Sequence, residues 1–293
     1  MKNKASGYIF AILSAVIYGC MPLMAKYIYA EGVNPLTLVF LRNLLALPIL
    51  ALLMLKDRKV ANYRTRSVFA SIIPAFFGCV ITPILLFTSY NYLDSGTSTV
   101  FHFIYPSIVL LIGIIFLKKK FNVITVISVF ICLVGIVLFY DPAQALSSVG
   151  SALALTSGLT FAIYVSTLSR FQKEGFSGYT FCFYVAMWSC VMMLIICLAS
   201  GQLMLPKSAL GWVLCTVFAL SVTVGAVFLF QQGTMIIGGE KSSVLSALEP
   251  ITSVAIGIIA FGESCRVSVI IGTVLVITSS VLIALSDLKS KKG

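Results

Sequence analysis

Ten long apolar stretches joined by short connections dominate this chain of 293 residues. They run over residues 7–29, 35–55, 67–90, 96–117, 122–140, 150–169, 178–200, 209–233, 242–261 and 267–286. A helix needs about 20 apolar residues to cross a hydrocarbon layer about 30 Å thick, and each stretch is close to that length. Sixty per cent of the residues are hydrophobic and ten per cent are charged. Only lipid can solvate that much apolar surface. Barrel strands are shorter and alternate in polarity, so the stretches do not read as strands. The expected fold is an all-α membrane protein with ten transmembrane helices.

The basic residues fix an orientation. Lys2 and Lys4 precede the first stretch, and Lys56, Arg58, Lys59, Arg64 and Arg66 follow the second. Lys118, Lys119 and Lys120 follow the fourth, Arg170 and Lys173 the sixth, and Lys241 the eighth. Lys289, Lys291 and Lys292 follow the tenth. Lys207 and Arg266 alone fall on the opposite side, and Lys26 and Arg42 lie within stretches. The positive-inside rule then places both termini in the cytoplasm of a bacterial inner membrane. The same distribution accounts for the net charge of +11. Topology and anionic lipid explain these scattered charges, and a nucleic-acid partner is not expected.

The first stretch is too long for a cleaved signal peptide and is expected to stay as a helix. Eight cysteines lie in or beside the stretches without a Cys-x-x-Cys pair. Cys182, Cys190 and Cys197 share roughly one helical face and read as packing groups. Cys265 is the one expected on an oxidising side.

The chain also repeats itself. At an offset of 144, Ser98 aligns with Ser242, Pro106 with Pro250, and Gly113-Ile114-Ile115 with Gly257-Ile258-Ile259. Gly7 and Gly150 open the first and sixth stretches, with Ser14 and Ser157 at equal depth. Each half, 1–141 and 150–287, therefore holds five stretches. An odd number turns the second half the other way up in the membrane. Two inverted halves can exchange conformations around a central site, which is the expectation for a transporter.

At these residues the chain resembles the drug/metabolite transporter superfamily, in its ten-helix EamA-type branch. The opening helix "GYIFAILSAVIYG", Arg42 within "NPLTLVFLRNLLALPIL", Pro106 in the fourth stretch, "LEPITSVAIGIIAFGE" in the ninth and "IIGTVLVITSSVLI" in the tenth carry the likeness over essentially the whole chain. Lys118–Lys120 stand where members often carry an acidic residue matching Glu263. The resemblance implies a plasma-membrane permease for small metabolites, often moving them outward.

Charge inside hydrocarbon is costly, so each buried ionisable group needs a reason. Glu249 lies deepest, beside Pro250, which removes a backbone donor and loosens its helix. It reads as a binding or proton-carrying carboxylate, or as a structural partner of Arg42 or Lys26. Tyr105-Pro106 is its counterpart in the other half, and paired proline-broken helices point to a midplane site. His102, the only histidine, stands one turn before Tyr105. Arg42, beside Asn43, suits a carboxylate with its planar fork. Lys26 sits nearer the interface, where its long stem can snorkel. Tyr18, Tyr90, Tyr92, Tyr105, Tyr164 and Trp188 are candidates to line an amphipathic pathway. Gln231 and Gln232 correspond to Tyr90 and its neighbour Asn91 and add polar groups. Tyr27, Tyr29 and Tyr140 read as interface anchors.

The leading functional reading is a secondary transporter of a small polar or amphipathic metabolite, an amino acid or related compound, working by alternating access. Its expected partners are that substrate, the lipid bilayer, and a proton or exchanged solute. No cofactor or metal is expected, and a monomer is the simplest assembly. No nucleotide-binding motif is present to couple ATP directly. The alternative is an intramembrane enzyme acting on a lipid-linked substrate. It needs a catalytic cluster that one histidine and no Gly-x-Ser-x-Gly motif do not supply. A channel would need a ring of filter groups.

Overall fold

The computed structural model describes residues 4–56, 65–93, 95–116, 123–138, 147–173, 178–261 and 267–289, and among them every regular element is helical. The first half holds α1 (Lys4–Ala30), α2 (Pro35–Lys56), α3 (Val68–Ser89), α4 (Ser95–His102), α5 (Tyr105–Ile115) and α6 (Val123–Val137). The second holds α7 (Ser148–Lys173), α8 (Gly178–Ser200), α9 (Ala209–Ile237), α10 (Gly239–Leu245), α11 (Leu248–Phe261) and α12 (Val267–Lys289).

Among the described residues, six helices are long and apolar enough to cross a membrane: α1, α2, α3, α7, α8 and α9. Shorter apolar helices complete the bundle. Two of the expected spans are not single helices. The fourth is split into α4 and α5 at Phe103 and Ile104, and the ninth into α10 and α11 at Ser246 and Ala247. The prolines explain where the new helices start. Pro106 and Pro250 sit in the first turns of α5 and α11. There a missing N–H costs nothing, because those donors have no intrahelical acceptor.

A second irregularity also recurs. The ladder widens to π-type turns over Ala75–Ile81 in α3 and Ala219–Val227 in α9, and their starting residues are again 144 apart. In α3, the Phe77 carbonyl accepts both the backbone N–H of Thr82 and, at 2.7 Å, its hydroxyl.

The halves are interleaved. α1 lies against α9 and α11, and α7 lies against α3, α4 and α5. α2 pairs with α8, and α6 with α12. Each of these contacts joins one half to the other, and exchanging the halves reproduces the pattern. Large apolar side chains such as Phe130, Leu198, Val213 and Ile277 remain exposed on the outer face, as expected of a surface solvated by acyl chains.

Lipid provides no hydrophobic force between helices, so close backbone approach through small residues carries much of the association. The α6–α12 crossing shows this at Gly135 and Gly272. A Cβ on Gly272 would stand 2.5 Å from the Gly135 carbonyl oxygen, and one on Gly135 would stand 2.9 Å from that of Gly272. The obstacle is backbone and cannot rotate away. Gly272→Ala should therefore destabilise the fold by about 1–3 kcal/mol, seen as a lower melting temperature in detergent. An unchanged melt would mean that the crossing yields without cost.

Candidate functional site

The two helix breaks face a common interior. His102 ends α4 and Glu249 lies in the first turn of α11, on opposite halves of the chain. Both line one cavity of about 40 Å³ with Tyr18 and Met21 of α1, Arg42 of α2, Phe161 of α7, and Gly78, Thr82, Pro83, Leu86 and Phe87 of α3. A water needs roughly 10–15 Å³ of such space, so the cavity has room for about three waters.

Three ionisable groups are nearly sealed in this cavity. Arg42 is 3% exposed, His102 4% and Glu249 7%. The Arg42 guanidinium lies 6.0 Å from the centroid of the Phe87 ring, and its Nε has no hydrogen-bond partner. Its neighbour Asn43 turns its amide back to the Val39 carbonyl at 2.8 Å. Arg42 and Glu249 share the cavity, and among the described residues no ion pair joins them. Lys26 is exposed near the C-terminal end of α1, where a snorkelling lysine belongs.

His102 is held from α7. Its Nδ1 lies 2.8 Å from the Ser157 hydroxyl, and that hydroxyl donates to the Ala154 carbonyl at 2.6 Å. Aromatic rings pack around the imidazole, with the centroids of Tyr105 at 5.3 Å and Phe161 at 5.2 Å. Thr82 and Thr160 add a hydroxyl pair 2.7 Å apart between α3 and α7. Gly78 lies in the π-type turn with the Tyr164 ring directly on its α-carbon, where a side chain would collide. Tyr164 in turn stacks on Phe230, with centroids 6.2 Å apart.

Of the residues singled out in the sequence, Glu249, His102, Arg42 and Tyr18 come together on the cavity wall. Tyr105 stands one layer behind. Its ring packs edge-on to Phe161 at 4.8 Å, and its hydroxyl donates to the Ser243 carbonyl at 3.4 Å. Tyr90 also lies outside the lining, with its ring 5.9 Å from that of Phe87. Gln231 is fully buried on α9 and is not part of the lining, and at the 144-residue spacing of the π-type turns its counterpart is Phe87, not Tyr90 as the sequence reading had it. Tyr92 is half exposed, and the Trp188 indole donates to the Val68 carbonyl at 3.2 Å. Cys182, Cys190 and Cys197 are buried, unbridged packing groups, while Cys265, Glu263 and Tyr140 lie outside the described residues.

Sequence reasoning missed Phe161, Thr82, Gly78 and Phe87. The repeat could have found the first, because Phe161 stands to Tyr18 as Ser157 stands to Ser14. The others had no signal, since the π-type turn that aims them is invisible in an apolar run.

The arrangement presents a guanidinium, a carboxylate, an imidazole and a phenol to one small, aromatic-walled space. A buried charge without a protein partner is expensive.

Comparison with known proteins agrees with this architecture. The model of the EamA-like transporter family matches residues 5–141 and again 148–285. An uncharacterized transporter of Clostridium kluyveri is 23% identical over 292 residues, covering 94% of this chain and 92% of the relative. The uncharacterized inner membrane transporter YicL of Salmonella typhimurium is also 23% identical, over 98% of each chain. A solved crystal structure superposes with a TM-score of 0.74 at 15% identity, over 97% of this chain and 98% of that one. At that identity the likeness speaks for the fold alone.

Proposed function

The chain belongs to the EamA-like transporter family, and on that premise we propose that it is a secondary carrier of a small zwitterionic or amphipathic metabolite, an amino acid or a related compound. One observation carries this reading: Arg42 and Glu249 line the same buried cavity with no ion pair joining them among the described residues, between aromatic walls contributed by both halves. A substrate carboxylate suits the planar guanidinium, and a substrate ammonium suits the carboxylate. Bound together they neutralise both buried charges, which no monopolar solute does.

The proposed mechanism is alternating access. Two inverted halves, each donating a broken helix, rock about the cavity and open it to one membrane face and then the other. The recurrence of the helix breaks and of the π-type turns supports this, because a motion available to one half is then available to the other. The proposed setting is the bacterial inner membrane with both termini cytoplasmic, from the basic residues on alternate loops and the inner-membrane relative. Coupling is to a proton or an exchanged solute, and the carrier works as a monomer.

Counterflow in vesicles tests the reading. Purified protein in liposomes preloaded with unlabelled leucine, phenylalanine or threonine should accumulate the matching labelled amino acid. The deaminated acid and the decarboxylated amine should compete about tenfold or more less well, since each leaves one buried charge unanswered. Equal competition by all three forms would remove the zwitterion from the proposal, and conversion of a solute to a new compound would point to an enzyme.

A further inference from the structure

We infer that Ser157 is a positioning residue that fixes the proton on His102, so that Nε2 and the Glu249 carboxylate form a paired-acceptor site for a primary ammonium group. This deepens the carrier reading and rests on it. The argument begins with one hydrogen. Ser157 carries a single hydroxyl proton, and the Ala154 carbonyl takes it at 2.6 Å. With that proton on the carbonyl the oxygen is left to accept, and we assign the imidazole Nδ1, 2.8 Å away, as the donor. A neutral imidazole with its proton on Nδ1 has only a lone pair at Nε2. No second hydrogen bond to the ring is formed among the described residues, and the ring belongs to the cavity wall.

The packing allows no easy alternative. His102 is hemmed by Tyr105, Phe161 and Phe103, with ring centroids 5.2–6.0 Å away. Gly158, next to Ser157, brings α7 against the His102 carbonyl, where even a Cβ would stand only 2.5 Å away. The serine is thereby held at a fixed height beside the ring. The consequence is a polarity for the whole cavity. Acceptors stand on the side of the two helix breaks, and the guanidinium supplies donors from α2. A cargo ammonium belongs at Glu249 and His102, and its acceptor end belongs at Arg42.

The test exploits the sequence, for His102 is the only histidine in the chain. Its two ring nitrogens can be read by 15N NMR of selectively labelled protein in lipid without assignment. The expected wild-type spectrum at neutral pH is a neutral ring protonated on Nδ1. Ser157→Ala should release this preference and populate the other tautomer, and Ser157→Thr, which restores a hydroxyl, should recover it. Methylammonium, the probe for the site, should shift the Nε2 resonance of the wild type, and Ser157→Ala should weaken that response about tenfold. Acetate should leave Nε2 unmoved. A wild-type ring protonated on Nε2, a tautomer indifferent to Ser157→Ala, or an Nε2 shift caused by acetate instead of methylammonium would each overturn the inference. The tautomer is read without transport, so its failure leaves the carrier reading standing, and absent counterflow leaves the tautomer result standing.

Discussion

Glu249→Gln is expected to lower amino-acid flux in reconstituted vesicles by roughly 10–100-fold while the protein remains folded and membrane-embedded. The substitution keeps the shape of the side chain and removes only its charge. A hydrogen bond to a charged partner contributes about 1.5–3 kcal/mol, and each 1.4 kcal/mol is tenfold in affinity. Stability should not fall with activity, because no protein cation pairs with this carboxylate among the described residues. Replacing an unpaired buried charge by a neutral amide also relieves a desolvation cost. The melting temperature in detergent should therefore hold or rise. That divergence separates a binding role from a structural one: a residue holding the halves together would lose stability and flux together. Normal flux in the variant would take Glu249 out of the mechanism.

The sequence showed the helical class and the placing of the central charges for a simple reason. Hydrocarbon tolerates few ionisable groups, so Arg42, His102 and Glu249 stand out in runs of leucine, isoleucine and valine, and all three reach the cavity wall. The repeat paired Pro106 with Pro250, and both lie just after helix breaks. What the sequence could not show was which way aromatic side chains face. Tyr90 and Tyr105 pack behind the wall, whereas Phe161 and Phe87 form it. All four are apolar-bodied rings, and their facing depends on helix rotation. In α3 that rotation is set by a π-type turn whose residues, Ala75 to Ile81, carry no compositional mark. The contact between Ser157 and His102 at the end of α4 was hidden for a related reason, because serine in a membrane helix ordinarily bonds its own preceding turn, as Ser157 also does.

Gly158→Ala is expected to lower both stability and transport, although it places a better helix former in the middle of α7. Alanine in a helix interior is favoured over glycine by about 0.5–1 kcal/mol, so any net loss reports the tertiary contact. At Gly158 the added Cβ would stand 2.5 Å from the His102 carbonyl oxygen and 2.9 Å from Ile104 Cγ2. The first of these is backbone at the helix break, so relief requires α7 and α4 to separate. Overpacking of this kind costs about 1–3 kcal/mol, and the separation also draws His102 from the hydroxyl of Ser157. Gly225 supplies the control, since its nearest neighbours to an added Cβ are at 3.5 and 3.6 Å, ordinary contact distance. Gly225→Ala should leave melting and flux unchanged or slightly improved. The opposite half offers an independent repetition: a Cβ on Gly19 of α1 would stand 2.5 Å from Thr252 Cβ and 2.8 Å from the Glu249 carbonyl oxygen. If each first helix serves as the bearing on which the other half's broken helix rests, Gly19→Ala and Gly158→Ala should both slow counterflow. A Gly158→Ala protein that melts and transports like the wild type would show that the close approach at the break plays no part in either.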